Sequence, residues 1–260
     1  MGTAEIQGEL WGWAPEDWAE LQEPTGAPIY EAAFEAMGVC DGYRLLDVGS
    51  GSGFALQLAH KRGADVSGFD ASEAMLSVAR NRLPQADLRQ GDLEALPHDS
   101  DFFDAVTAFN SVQYASDPIQ GLREIKRVAK LGAPVAVATW GDPERCDGKA
   151  LIGAVGALLP PPPPGAGGPF ALAAPGALEA LVEQAGLSAE RALEVSTPFE
   201  YPDIATAERA SLAAGPNRLA VNHAGVDAVR DALTTALEQF VKPDGSVRLD
   251  NVFRVVIAHA

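Results

Sequence analysis

The chain has 260 residues, of which 47% are hydrophobic, and its formal net charge at pH 7 is −17. This length suits a domain with its own core, and so acidic a surface disfavours nucleic-acid partners. No apolar run of about 18 residues and no secretion signal is visible, and the only two cysteines lack metal-ligand spacing. We therefore expect a cytoplasmic protein without a membrane span or a metal.

Residues 1–43 precede the first predicted strand and hold three of the four tryptophans, Trp11, Trp13 and Trp18, in a stretch without regular periodicity. Two interpretations remain open. The tryptophans either pack this extension onto the sheet, or they form a lid that excludes water and contacts a substrate.

Residues 44–140 alternate apolar runs with helical stretches in the βαβ manner. Ser72 and Asp117 are predicted N-caps of helices that end near Arg82 and Lys130. The carboxyl ends of such strands form the ligand-binding edge of an open α/β sheet. The predicted strands are Arg44–Val48, Asp65–Phe69, Asp87–Gln90, Asp104–Phe109 and Pro134–Thr139.

The first strand runs into a glycine turn, reading Leu-Leu-Asp-Val-Gly-Ser-Gly-Ser-Gly over residues 45–53. A dinucleotide fingerprint, G-x-G-x-x-G, would place its third glycine where Phe54 stands. Asp47 at the strand end would repel a pyrophosphate and suits a ligand that carries a cationic amine. Both features disfavour an NAD-dependent oxidoreductase, which stays the first alternative.

The pattern D-x-G-x-G-x-G from Asp47 to Gly53 resembles motif I of class I S-adenosylmethionine-dependent methyltransferases. Residues 44–140 resemble the small-molecule branch, close to the ubiquinone and menaquinone biosynthesis enzymes. The resemblance implies a Rossmann-like, doubly wound α/β fold with a seven-stranded sheet, an antiparallel last strand and helices on both faces. It implies S-adenosylmethionine as cofactor, S-adenosylhomocysteine as product and in-line methyl transfer to a small-molecule acceptor, mainly through proximity and orientation. A non-catalytic protein that binds the cofactor is the second alternative.

The same resemblance assigns a cofactor site along consecutive strand ends. Asp70, at the end of the second strand, would accept the ribose hydroxyls, Asp92 would accept the adenine amino group, and Asn110 would contact the methionine part. The full set is Asp47, Gly49, Ser50, Gly51, Gly53, Asp70, Ala71, Met75, Gly91, Asp92, Leu93 and Asn110.

Candidates on the acceptor side are fewer. Gln113 and Tyr114 could face the acceptor, although Tyr114 could instead pack on the helix after Asp117. Histidine is the usual base near neutral pH, so His223 is a candidate catalytic base beside Tyr114, with a surface role as its alternative.

Beyond Trp140 the resemblance holds only in outline. Pro160–Pro164 predict an extended surface loop. We interpret the chain as one domain, with a lid or extension over 1–43, the cofactor-binding core over 44–140, acceptor-side inserts over 141–247 and the last strand over 248–260. The elements predicted here are helices over Pro175–Ala185, Ile204–Ala214 and Asp227–Phe240, and strands over Arg191–Thr197 and Arg248–Ala258.

Overall fold

The computed structural model describes residues 3–160 and 168–260. Its strands are β1 (Arg44–Val48), β2 (Asp65–Asp70), β3 (Asp87–Gln90), β4 (Ala105–Phe109), β5 (Pro134–Trp140), β6 (Ser188–Ser196), β7 (Phe199–Tyr201), β8 (Val247–Leu249) and β9 (Val252–His259).

Seven of these strands form one sheet in the order β3-β2-β1-β4-β5-β9-β6. Neighbours from β3 to β5 run parallel, whereas β9 is antiparallel to both β5 and β6. The predicted seven-stranded sheet with an antiparallel last strand is confirmed. The parallel half places the carboxyl ends of β1, β2, β3 and β4 at one edge.

The prediction of one continuous strand over Arg248–Ala258 is wrong, because the chain forms two strands there, β8 and β9. The first, β8, pairs with β7 in a separate two-stranded sheet. The break falls at Asn251, which is buried and bonds outside the strand. Its Oδ1 accepts a hydrogen bond from the Gly148 backbone N–H at 2.9 Å, and its carbonyl accepts one from the Thr197 N–H at 2.8 Å.

Both predicted N-caps are confirmed. Ser72 Oγ accepts a hydrogen bond from the backbone N–H of Met75 at 3.3 Å, and Asp117 Oδ1 accepts one from Gln120 at 3.0 Å. The helices are α1 (Ala4–Trp11), α2 (Pro15–Asp17), α3 (Ala27–Met37), α4 (Phe54–Lys61), α5 (Glu73–Arg82), α6 (Pro118–Val128), α7 (Gly148–Gly156), α8 (Ala177–Gln184), α9 (Ile204–Leu212), α10 (Gly215–Ala224) and α11 (Val226–Leu237).

The N-terminal segment is mostly helical although its sequence shows no regular periodicity. A π-helical turn over Trp18–Gln22 and a 3₁₀ turn over Glu23–Gly26 join α2 to α3. Helix α1 packs through small residues, since an added Cβ on Gly8 would lie 2.5 Å from the Ala71 carbonyl oxygen. Tertiary contact, and not an amphipathic stripe, therefore holds this helix.

Two buried clusters cover the two faces of the large sheet. Leu46 belongs to the cluster with α6 and α8, and its neighbour Leu45 belongs to the cluster with α3 and α4. Two smaller clusters join α7, α9, α10 and α11 beside β7 and β8. None of the helices in residues 3–160 and 168–260 combines the length and apolar character that a bilayer crossing requires. Most of the proline loop, Pro161–Pro164, lies outside the described residues.

Candidate functional site

A cavity of about 550 Å³ lies at the carboxyl edge of the parallel strands, a size that suits a small-molecule site. It has two ends of different chemistry. The acidic end is lined by the carboxylates Glu23, Asp47, Asp70 and Asp92. The apolar end is lined by Trp140, Leu151, Ile152, Val155, Phe199, Leu249 and Phe253.

The glycine turn after β1 forms the floor of the acidic end. Gly49 and Gly51 have φ of 83° and 53°, in the left-handed region that favours glycine. A Cβ on Gly49 would collide with the side chain of Ser111. Ser50 lines the cavity, and its buried Oγ has no hydrogen-bond partner among the described residues. The turn is thus a cradle whose glycines let a ligand approach the backbone closely.

Asp70 connects the end of β2 to this turn. Its Oδ2 accepts a hydrogen bond from the Gly51 backbone N–H, and its Oδ1 accepts one from the Ser72 N–H, both at 2.8 Å. A carboxylate has about four acceptor sites, so these two hydrogen bonds leave the Asp70 carboxylate able to accept from two further donors. Burial raises the pKa of Asp70, against the effect of these backbone hydrogen bonds.

Asp47 is buried at the end of β1, where its Oδ1 accepts a hydrogen bond from Thr107 Oγ1 at 2.7 Å. Burial raises the pKa of this carboxyl to about 7, and the negative charges of Glu23 and Asp70 add to the increase, although the Thr107 hydrogen bond opposes it. A cation bound between these carboxylates would favour their ionised forms. The acidic end therefore suits a positively charged ligand.

Glu23 is a site residue that the sequence analysis did not identify. The Ser52 backbone N–H donates to its Oε1 at 3.1 Å, and the Ser52 hydroxyl donates to its Oε2. Arg82 donates to Glu23 Oε2 at 2.8 Å and to the carbonyl oxygens of Ser52 and Ala19 at 3.0 and 3.1 Å. This buried ion pair fixes the N-terminal segment against the glycine turn.

Helix α1 and the following turn cover the cavity. Thr3 Oγ1 donates to the Tyr114 carbonyl oxygen at 2.7 Å. The Trp11 ring lies 4.9 Å from Trp18 and 5.7 Å from Tyr114, in edge-to-face contacts. Trp11 also packs flat against Gly215 at the start of α10. The roof of the cavity therefore joins α1 to α10.

The three N-terminal tryptophans do not share one environment. Trp11 and Trp18 line the cavity. Trp13 lies outside the lining, packs with the cluster around Val155 and Leu212, and has the Arg218 guanidinium 5.0 Å from its ring. Sequence spacing could not separate these roles, because each depends on contacts with distant helices.

Most residues predicted for the cofactor site come together at the acidic end. Gly53 does not line the cavity; it has φ of 82°, is the N-cap of α4 and packs against Ala79. The predicted residues that line the cavity are Asp47, Gly49, Ser50, Gly51, Asp70, Ala71, Met75, Gly91, Asp92, Leu93 and Asn110.

The predicted catalytic candidates differ in position. Tyr114 lines the cavity, and burial raises its pKa to about 12, which keeps the phenol neutral. Gln113 does not line the cavity, and its Nε2 donates to Asn110 Oδ1 at 3.3 Å. His223 is exposed on α10, away from the lining. Within the described residues, no group of three or more His, Cys, Asp or Glu is placed to hold a metal ion.

Comparison with known proteins connects this geometry to a family. Residues 46–137 match a family model described as a methyltransferase domain. A demethylmenaquinone methyltransferase from Renibacterium salmoninarum is 37% identical over 109 residues, which are 42% of this chain and 46% of that protein. The chain spans about half the length of the curated relatives it matches.

Two solved structures extend the comparison. A SAM-dependent methyltransferase from Aquifex aeolicus is 25% identical with a TM-score of 0.54, covering 70% of this chain and 92% of that one. The geranyl diphosphate C-methyltransferase of Streptomyces coelicolor, solved with Mg²⁺, geranyl diphosphate and S-adenosyl-L-homocysteine, has a TM-score of 0.53 at 15% identity. The match covers 90% of this chain and 78% of the Streptomyces chain. At this identity, the similarity to the Streptomyces enzyme shows the fold alone.

Proposed function

Since residues 46–137 of this chain are a methyltransferase domain of the class I, S-adenosylmethionine-dependent type, we propose that the protein methylates a small-molecule acceptor bound at the apolar end of its cavity. One observation carries the proposal. A single cavity of about 550 Å³ joins the acidic end, built around the glycine turn, to an apolar end.

The acidic end has the groups that this cofactor requires. Asp70 has acceptor capacity for the two ribose hydroxyls, and Asp92 lies on the loop after β3 where an adenine amino group would donate. Asp47 and Asp70 supply negative potential for the ammonium and sulfonium groups of the cofactor. The residues present therefore fit S-adenosylmethionine.

Bound S-adenosylmethionine supplies a methyl group that its cationic sulfonium already activates. The chain has to hold the acceptor in line with that methyl group, and such positioning contributes roughly 7–11 kcal/mol in favourable cases. Trp11, Trp18 and Tyr30 line the cavity beside the glycine turn and would exclude water from the reacting atoms. We assign no base to His223, because it is exposed outside the cavity lining.

The N-terminal segment belongs to this function as a lid. Its residues line the cavity, contact the loop after β2 through Gly8, and bond the loop after β4 through Thr3. The N-terminal segment therefore both packs against the loops after β2 and β4 and covers the cavity. We also propose that residues 1–260 act as one methyltransferase domain, since the cavity draws its lining from the N-terminal segment, the sheet and the late helices.

Calorimetry with S-adenosylhomocysteine tests the cofactor site directly. Transfer is tested by incubating the protein with trideuteromethyl-labelled S-adenosylmethionine and metabolite extracts, followed by mass spectrometry. We expect a labelled product with the parent protein and much less of it with Asp70→Ala when the cofactor concentration is close to the Kd of the parent. Tight cofactor binding with no labelled product in any extract would favour the non-catalytic alternative, and binding of NAD instead of the cofactor would favour the oxidoreductase.

A further inference from the structure

The described residues that line the cavity include four carboxylic acids and no basic side chain. Among the lining residues of 3–160 and 168–260, none is Lys, Arg or His. Residues 1–2 and 161–167 contain only Met, Gly, Pro and Ala, so they add no such side chain. The partly buried guanidinium of Arg82, which lies beside the cavity residue Glu23, is already paired with that carboxylate. The cavity therefore offers no free cationic side chain to an anionic ligand.

Three polar side chains of the lining, Gln22, Tyr201 and Asn217, donate hydrogen bonds to other side chains or to the backbone. The Tyr201 hydroxyl donates to Gln22 Oε1 at 2.7 Å, and Gln22 Nε2 donates to Thr25 Oγ1 at 3.2 Å. Asn217 Nδ2 donates to the Ser211 carbonyl oxygen at 2.8 Å. Burial raises the pKa of Tyr201, against the effect of the Gln22 hydrogen bond, so this phenol stays neutral as well.

From these two observations we infer that the acceptor enters the apolar end as an uncharged, largely apolar body. A phosphate, diphosphate or carboxylate on the acceptor would be desolvated there without a cationic side chain to pair with it, which is strongly unfavourable. This inference rests on the proposed methyltransferase function and narrows its acceptor class. It separates this chain from the diphosphate-binding structural neighbour, with which it shares the fold alone.

The test uses two naphthalene compounds of nearly equal size, neutral naphthol and anionic naphthoate, at neutral pH. S-adenosylhomocysteine is first titrated into the full chain by calorimetry, and each compound is then titrated into the complex. We expect naphthol to bind at least about tenfold more tightly than naphthoate, because only the latter brings an unpaired charge into the cavity.

Ile152 offers a matched pair of variants, because it lines the apolar end without belonging to a packed core cluster. Ile152→Lys adds one cation, and we expect it to shift the naphthol-to-naphthoate preference at least about tenfold towards naphthoate. Ile152→Met keeps the site neutral and should keep the preference of the parent.

Each outcome decides a different question. Equal or tighter naphthoate binding by the parent complex would overturn the inference, as would a complex that binds neither compound. A preference that Ile152→Lys leaves unchanged would place the compounds elsewhere and also overturn it. Failure of S-adenosylhomocysteine to bind is seen in the first titration, before either compound is added, and it would refute the methyltransferase assignment itself.

Discussion

The carboxylate of Glu23 accepts hydrogen bonds from both the backbone N–H and the hydroxyl of Ser52, so the N-terminal segment is bonded directly to the glycine turn. Arg82 neutralises this carboxylate from the end of α5. Burial raises the pKa of Glu23, while the hydrogen bonds from Ser52 and the charge of Arg82 oppose that effect. The charge of the acidic end therefore depends on Arg82, which lies far from Glu23 in the sequence.

Replacing Arg82 by Met removes the counter-charge of a buried carboxylate. We expect Arg82→Met to lower the free energy of unfolding by roughly 3–5 kcal/mol, measured by urea denaturation at neutral pH. The double variant Arg82→Met/Glu23→Gln should recover part of that loss, since the buried charge is gone. Arg80→Met is the control. Its partner Glu73 is exposed, so loss of this ion pair should hardly change the free energy of unfolding. An unchanged Arg82→Met protein would show that the pair carries no structural role.

The sequence was sufficient for the parts of the site that depend on local pattern. The strand ends at Asp47, Asp70 and Asp92 follow from the βαβ alternation, and the seven-stranded sheet with an antiparallel last strand follows from the resemblance. The roles of Glu23 and Tyr30 did not follow, because each is set by contacts with residues tens of positions away, and nothing in an acidic N-terminal stretch distinguishes the one buried glutamate. The position of His223 did not follow either, because its exposure on α10, outside the cavity lining, is a tertiary property.

Asp70→Ala should weaken cofactor binding without unfolding the protein. Loss of hydrogen bonds to a charged group corresponds to roughly 1.5–3 kcal/mol, or about a 10- to 150-fold rise in Kd, measured by calorimetry with S-adenosylhomocysteine. Asp65→Ala is the matched control, because Asp65 is exposed at the other end of the same strand. Parent-like binding by Asp70→Ala would show that the ribose assignment is wrong.

The raised pKa of Asp47 predicts an unusual pH dependence of stability. Between about pH 4 and pH 7 the folded protein binds a proton on Asp47 that the unfolded chain does not. This contribution to the free energy of unfolding is therefore lost as the pH rises towards 7, at up to about 1.4 kcal/mol per pH unit. Asp47→Asn should be more stable than the parent near pH 8, and the difference should shrink as the pH falls and be nearly gone near pH 4. Thermal denaturation across this range checks the sign.

The same group links pH to cofactor binding in the opposite direction. A cationic ligand needs the ionised carboxylate, so affinity of the parent for S-adenosylmethionine should fall by up to about tenfold per unit as the pH drops below about 7. Asp47→Asn should bind weakly with little pH dependence. Asp104→Asn is the control, since its carboxylate pairs with Lys130 and does not line the cavity. A parent affinity that is flat from pH 5 to pH 8 would contradict the assigned pKa of about 7.

The lid can be tested without deleting it, because α1 contacts the loop after β2 through a glycine. In Gly8→Ala the new Cβ would lie 2.5 Å from the Ala71 carbonyl oxygen, so α1 must move off the loop that lines the acidic end. We expect S-adenosylhomocysteine to dissociate at least about tenfold faster. Stopped-flow tryptophan fluorescence can follow this release, since Trp11 and Trp18 line the cavity.

Gly153→Ala in α7 is the matched control for Gly8→Ala, because no atom lies within 4 Å of its added Cβ. Both variants replace a helical glycine by alanine, which by propensity alone stabilises a helix by about 1 kcal/mol. Gly153→Ala should show that gain with unchanged cofactor release, whereas Gly8→Ala should lose it to the clash with Ala71. If Gly8→Ala instead matches Gly153→Ala in both stability and release rate, α1 does not hold the cofactor, and the N-terminal segment is structural packing alone.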